Sequence, residues 1–129
     1  MEELNISATV ENIPVVTAFV DAQLETLNCP LKAQMQIDIA IDELFGNIAQ
    51  YAYNPDIGSA TVRVEVSEDP LAVIITFIHG GIPYDPGITL SAEDRPLGGL
   101  GIYMVKKSMD AIIYEHRDGK NILSIKKTL

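Results

Sequence analysis

Cysteine is nearly absent. Cys29 is the one cysteine in 129 residues, so no internal disulfide can form, and no neighbouring His or Cys completes a metal set around it. Beside Pro30, at an expected turn between helices, it reads as an unpaired thiol in a reducing compartment. Basic residues are scarce too: 9 Lys and Arg stand against 18 Asp and Glu. The net charge of −9 excludes a general nucleic-acid binder, which needs a cationic surface. Long apolar runs are missing; the longest, around Ala72 to Ile78, is too short to span a bilayer. Met1-Glu2-Glu3 lacks the basic start of a targeting segment. The expectation is a cytoplasmic protein with no membrane association and no direct nucleic-acid ligand.

What is present is enough for one globular domain, read here as residues 1–129, with 47% apolar and 21% charged residues and no visible linker or repeat. Charge is segregated along it. Residues 1–94 hold fifteen acidic and two basic side chains, a net −13, whereas 95–129 hold three acidic and seven basic, a net +4. An acidic body with a locally basic segment is compatible with an anionic ligand held at one place, and equally with ordinary solvated faces.

Periodicity orders the elements. Leu4 to Val10 alternates weakly and predicts a first strand; Glu11 to Leu27 carries Ile13, Val16, Phe19, Val20, Leu24 and Leu27 at helical spacing and stops at Asn28-Cys29-Pro30. Leu31 to Tyr53 places Ile37, Ile41, Leu44, Ile48 and Ala52 on one face, a second helix. Thr61 to Glu68 and Leu71 to Ile78 alternate around Glu68-Asp69-Pro70 and predict a hairpin with one buried face. Three prolines and six glycines spread Gly80 to Gly101 into a long loop, of the length expected for a ligand lid. A helix from Leu100 to Met109 and a hairpin, Ala111 to His116 with Asn121 to Lys127, turning at Asp118-Gly119, complete the chain. This order predicts an α+β two-layer sandwich, with helices on one face of a mainly antiparallel sheet and the other face more open to water.

Two constellations carry chemistry. Gly98-Gly99-Leu100-Gly101 runs straight into an apolar helix start, and glycines leading into free N–H groups of a first helical turn can cradle phosphate. Glycines also simply turn chains, and a dinucleotide fold would need a strand where the polar stretch Ser91 to Pro96 stands. Upstream, Glu43 and Asn47 sit one turn apart on the second helix, at the edge of its apolar face, with Gln50 continuing the stripe. Such an Asn can offer a hard oxygen to Mg²⁺ and such a Glu can take a proton from an attacking hydroxyl or water. The alternative is a merely solvated pair.

Taken together, three stretches give the chain a resemblance to the GHKL (Bergerat-fold) ATPases, and within them to the bacterial anti-sigma factor serine/threonine kinases. Ile39-Ala40-Ile41-Asp42-Glu43-Leu44-Phe45-Gly46-Asn47 and the residues to Tyr53 look like the N box, His79-Gly80-Gly81-Ile82-Pro83-Tyr84-Asp85-Pro86 looks like the following box, and Gly98-Gly99-Leu100-Gly101-Ile102-Tyr103 looks like the glycine box. The resemblance spans nearly the whole chain. It implies a Bergerat-type sandwich, ATP and Mg²⁺ as cofactors, Glu43 as general base and Asn47 as magnesium ligand. It further implies nucleotide contacts from His79, Gly81, Tyr84, Asp85, Gly98, Gly99, Leu100, Gly101 and Ile102. Implied partners are an anti-sigma factor antagonist protein, which would be phosphorylated, a sigma factor or equivalent target, and a second copy in a homodimer. Two positions depart from the pattern: the family's adenine-binding Asp falls at His79, and its His near the end of the N box is Tyr51. A neutral imidazole lacks the charge that strengthens such a contact, worth about 1.5 to 3 kcal/mol. The alternative function is therefore a partner-switching binding module with weakened nucleotide binding. A detached histidine-kinase ATPase domain fits less well, for want of a phosphoacceptor hairpin.

Overall fold

The computed structural model describes residues 1–53, 56–81 and 100–129. Five antiparallel strands form one sheet in the order β1-β2-β3-β5-β4, from β1 (Glu2–Ser7), β2 (Ser59–Ser67), β3 (Ala72–His79), β4 (Ala111–Arg117) and β5 (Lys120–Thr128). Three helices, α1 (Ile13–Thr26), α2 (Leu31–Asn47) and α3 (Leu100–Ser108), contribute to one core with a single face of that sheet. The α+β two-layer sandwich expected from the element order is the observed architecture. Among the described residues no helix is long and apolar enough to cross a membrane.

Alternation in the strands selects the face. Ala60, Val62 and Val64 of β2, Val73, Ile75 and Phe77 of β3, and Leu123 and Ile125 of β5 are buried in register, and they meet Val16, Val20 and Leu24 of α1, Ile37, Ile41, Leu44 and Phe45 of α2, and Ile102 and Val105 of α3. Residues of opposite parity make a polar ladder on the other face: the Arg63 Nε to Glu3 ion pair at 2.7 Å, Thr61 Oγ1 donating to Asn5 Oδ1 at 2.6 Å, and Thr76 with Ser124 at 3.0 Å. The partly exposed Arg63–Glu3 ion pair contributes about 0–1 kcal/mol.

Local chemistry accounts for the ends. Asn28 takes a left-handed conformation (φ 53) after α1, and the Cys29 N–H returns to the Leu24 carbonyl at 3.2 Å, which satisfies a carbonyl of the last turn. The β4–β5 turn has positive φ at both Asp118 (56) and Gly119 (76), the geometry a two-residue hairpin needs. The first strand is Glu2–Ser7 rather than Leu4 to Val10. The Asn12 side chain takes the Ser7 carbonyl at 2.8 Å and a 3-10 turn, Val10–Asn12, follows, leaving Val10 exposed. The second helix is α-helical only to Asn47; Ile48–Ala52 continues as a π turn.

Across the seam between α1 and α2, Asp21 and Asp38 face each other, and Oδ1 of each is buried without another partner. Burial, followed by a hydrogen bond shared with Asp21 and the charges of Asp21 and Asp42, pushes the Asp38 carboxyl up to about 7. A carboxyl whose pKa is raised in the folded state stabilises fully below its unfolded value, near 3.8, and loses that contribution as pH rises through about 7. His79 has the opposite sense below pH 6.5, so the comparison belongs above it. We expect Asp38→Asn, whose amide can donate to Asp21, to raise Tm at pH 8.5 and to flatten the decline between pH 6.5 and 8.5. Solvent screening at this half-buried pair limits the gain to roughly 1 kcal/mol, or about 2–5 °C. Calorimetry showing a lower Tm for the variant at pH 8.5 would contradict the shared proton.

Candidate functional site

The π turn closing the second helix decides where the next residues point. Tyr53, just after it, donates its hydroxyl to the Ser59 carbonyl at 2.7 Å and accepts the Gly80 N–H at 2.8 Å. One side chain thereby ties the end of the α2 segment to the start of β2 and to the residue leaving β3. A Cβ on Gly58 would lie 2.2 Å from the Tyr53 ring, so that ring can occupy its place only because residue 58 has no side chain. π turns occur frequently at functional sites.

His79 ends β3 on the helix-facing side, opposite Ala60 on one flank and Asn121 on the other. It is 5% exposed, its Nδ1 is buried without a partner, and its ring meets Tyr53 edge-on with centroids 6.0 Å apart. Burial lowers its pKa to about 4, so the imidazole is neutral at physiological pH. Asn121 is fully buried; it accepts the Tyr114 hydroxyl on Oδ1 and donates Nδ2 to the Gly81 carbonyl at 3.1 Å. The chain leaving β3 is therefore pinned twice, at Gly80 by Tyr53 and at Gly81 by Asn121. Neither anchor is evident from spacing alone: Tyr53 closes the N-box stretch, but Asn121 becomes relevant only through its register with His79.

Glu43 and Asn47 are both half-buried on α2. At about 100° per residue, Asn47 lies half a turn round the helix from Asp38, which faces α1. The pair thus occupies the flank of α2 away from α1, and α2 also packs against α3. Gln50 falls in the π turn and is exposed. α3 begins at Leu100, so the N–H groups of Leu100, Gly101 and Ile102 belong to its first turn, where no intrahelical acceptor exists. The Ile102 side chain, 3% exposed, is part of the core, which leaves its main chain for any ligand. Tyr84, Asp85, Gly98 and Gly99 lie outside the described residues.

Among the described residues no group of three or more His, Cys, Asp or Glu is arranged to hold a metal ion by itself. A magnesium ion at Asn47 would need oxygens from its nucleotide, as Mg²⁺ ordinarily does. At the end of β3, His79 Nδ1 is buried without a partner beside the pinned Gly80-Gly81.

Comparison with known proteins bears on the same layout. The family model of the histidine kinase-like ATPase domain matches residues 6–127. The serine-protein kinase RsbW of Bacillus mycoides is 27% identical over 136 residues, covering 96% of this chain and 82% of the relative, and that of a Bacillus cereus strain is 28% identical over 134 residues with the same coverage. Among solved structures, a chain of the SiaB–SiaC complex from Pseudomonas aeruginosa superposes with a TM-score of 0.65 at 17% identity, covering 100% of this chain and 90% of the other. The catalytic domain of the histidine kinase ThkA gives 0.54 at 14% identity, with 99% and 97% covered. These two structural likenesses speak for the fold. With the family model extending over almost all of the sequence that builds it, the chain belongs to the histidine kinase-like ATPase domain family.

Proposed function

We propose that the chain is a Mg-ATP-dependent serine/threonine protein kinase of a partner-switching system, which phosphorylates a small antagonist protein and also binds a sigma factor or an equivalent regulatory target. The observation that carries this reading is the half-buried Glu43 and Asn47 pair, one turn apart on the flank of α2 away from α1. The kinase names of the RsbW relatives agree with it. Bound Mg-ATP would supply the transferable phosphoryl group and an ADP leaving group. Glu43 takes the proton of the attacking hydroxyl, and Asn47 gives its amide oxygen to the metal. Main-chain N–H groups of Gly98, Gly99, Leu100, Gly101 and Ile102 hold the phosphates, while His79, Gly81, Tyr84 and Asp85 border the base.

A neutral histidine in place of an anionic acceptor favours one second reading, a binding module that keeps the partner surface with little nucleotide affinity. Radiolabel transfer separates them. Incubated with γ-labelled Mg-ATP and the small proteins that co-purify with it from native cells, the chain is expected to label a serine or threonine of one of them in a Mg²⁺-dependent way. A chain that co-purifies with its partner yet neither binds ATP detectably nor transfers phosphate to any co-purifying protein would favour the module.

A further inference from the structure

Several polar groups at the end of β3 are engaged with one another or with the main chain. Tyr53 Oη both donates, to Ser59, and accepts, from Gly80. Asn121 is occupied by Tyr114 and Gly81. Among the described residues at this end of the sheet, the side-chain atom that is buried with nothing to bond is His79 Nδ1. A buried, unpartnered polar atom in the row that fixes the Gly80-Gly81 exit is costly unless a ligand satisfies it. What such an atom can satisfy depends on its protonation, and burial keeps this ring neutral.

A carboxylate accepts hydrogen bonds and cannot donate them. A neutral imidazole does both, with one N–H and one lone pair, and its tautomer decides which nitrogen carries which. The purines differ at the ring position that such a group would read: adenine carries a 6-amino donor, and hypoxanthine and guanine carry a 6-oxo acceptor. A site that only accepts rejects the 6-oxo bases, because two acceptors are brought together in a desolvated place. A site that adapts by tautomer leaves neither base unpaired.

Resting on the nucleotide-site reading above, we infer that His79 makes the base subsite purine-tolerant, accepting from the 6-amino group of an adenine nucleotide in one tautomer and donating to the 6-oxo group of a hypoxanthine or guanine nucleotide in the other. The ligand class is thus purine nucleoside triphosphates, with adenine only weakly preferred. Tyr53, edge-on to the His79 ring, hydrogen-bonds to the main chain, and Asn121, its register partner, bonds to Tyr114 and to the Gly81 carbonyl.

Calorimetry with Mg-ATP and Mg-ITP on the full chain tests this, since inosine triphosphate changes the 6-position without adding the 2-amino group of guanine. The native protein is expected to bind the two within about tenfold of each other. His79→Asp should tighten ATP and weaken ITP, taking the ratio above about a hundredfold. Should His79→Asp fail to fold by circular dichroism, His79→Asn and His79→Leu decide the matter. The asparagine amide carries both donor and acceptor and should hold the ratio near the native one, whereas leucine should lose affinity for both nucleotides alike. An ATP preference above a hundredfold in the native protein, a ratio unmoved by the aspartate, or a leucine variant that binds both as the native chain does would overturn purine tolerance and leave the nucleotide site standing. If neither the native chain nor any folded variant binds either nucleotide, the nucleotide-site reading itself falls.

Discussion

Glu43→Ala is expected to lower phosphoryl transfer by about 10²–10⁴-fold, the usual worth of a positioned general base, while Mg-ATP affinity stays within about threefold of native. Asn47→Ala, on the same flank of the same helix, should fail differently. Losing the amide oxygen removes a ligand from the metal, so binding in the presence of Mg²⁺ should weaken while metal-free binding stays where it was. The contrast is the test, because a merely solvated pair would give two variants with native transfer and native affinity. Calorimetry with and without Mg²⁺, beside a transfer assay, separates the cases. Equal loss of binding in both variants would show the two roles to be wrongly assigned.

Phe77→Ala should cost about 3–5 kcal/mol in chemical denaturation. Phe77 is fully buried in β3, with Val62 and Leu123 beside it in register and the helical layer above. Truncating the ring leaves a cavity that a sheet held on both flanks cannot close. A domain of this kind has about 5–15 kcal/mol in total, so the variant would forfeit about a fifth of its stability or more. Ile113→Ala is the control: Ile113 is 63% exposed and lies on the far side of the sheet, and its loss should register within about 0.5 kcal/mol. A Phe77 variant within 1 kcal/mol of native would mean that the two layers are not closed against each other as described. The residue two places along the strand is His79, so a folded Phe77 variant should also show altered nucleotide affinity if the base subsite is where we infer it.

The candidate site was legible to different depths. That Glu43 and Asn47 lie side by side on one helix could be read from spacing, because the helix repeat is local and one turn brings i and i+4 together whatever the rest of the chain does. The glycine box could be read up to the start of α3, since Leu100 and Gly101 do open that helix. His79 stood out only as a departure within a resemblance. Its neutrality and its unpartnered nitrogen are properties of burial, which sequence does not state. The anchors Tyr53 and Asn121 sit 27 and 40 residues from the glycines they hold, beyond the reach of any local pattern.

By itself the sequence determined the element order and the layer arrangement: three amphipathic helices, strands alternating apolar and polar, a stop at Asn28 and a hairpin at Asp118-Gly119. Each follows from interactions within a few residues, where backbone conformation and side-chain period leave little choice. Tertiary structure alone decided the strand order, with β5 inserted between β3 and β4, because that pairing joins segments about fifty residues apart. It also decided that α2 gives way to a π turn at Ile48, where the apolar period still reads as helix but Tyr53 must reach both Ser59 and Gly80. And it brought Asp21 against Asp38, on two helices whose sequences show only acidic positions, since which flank of a helix meets its neighbour is set by packing against the sheet rather than by the helix.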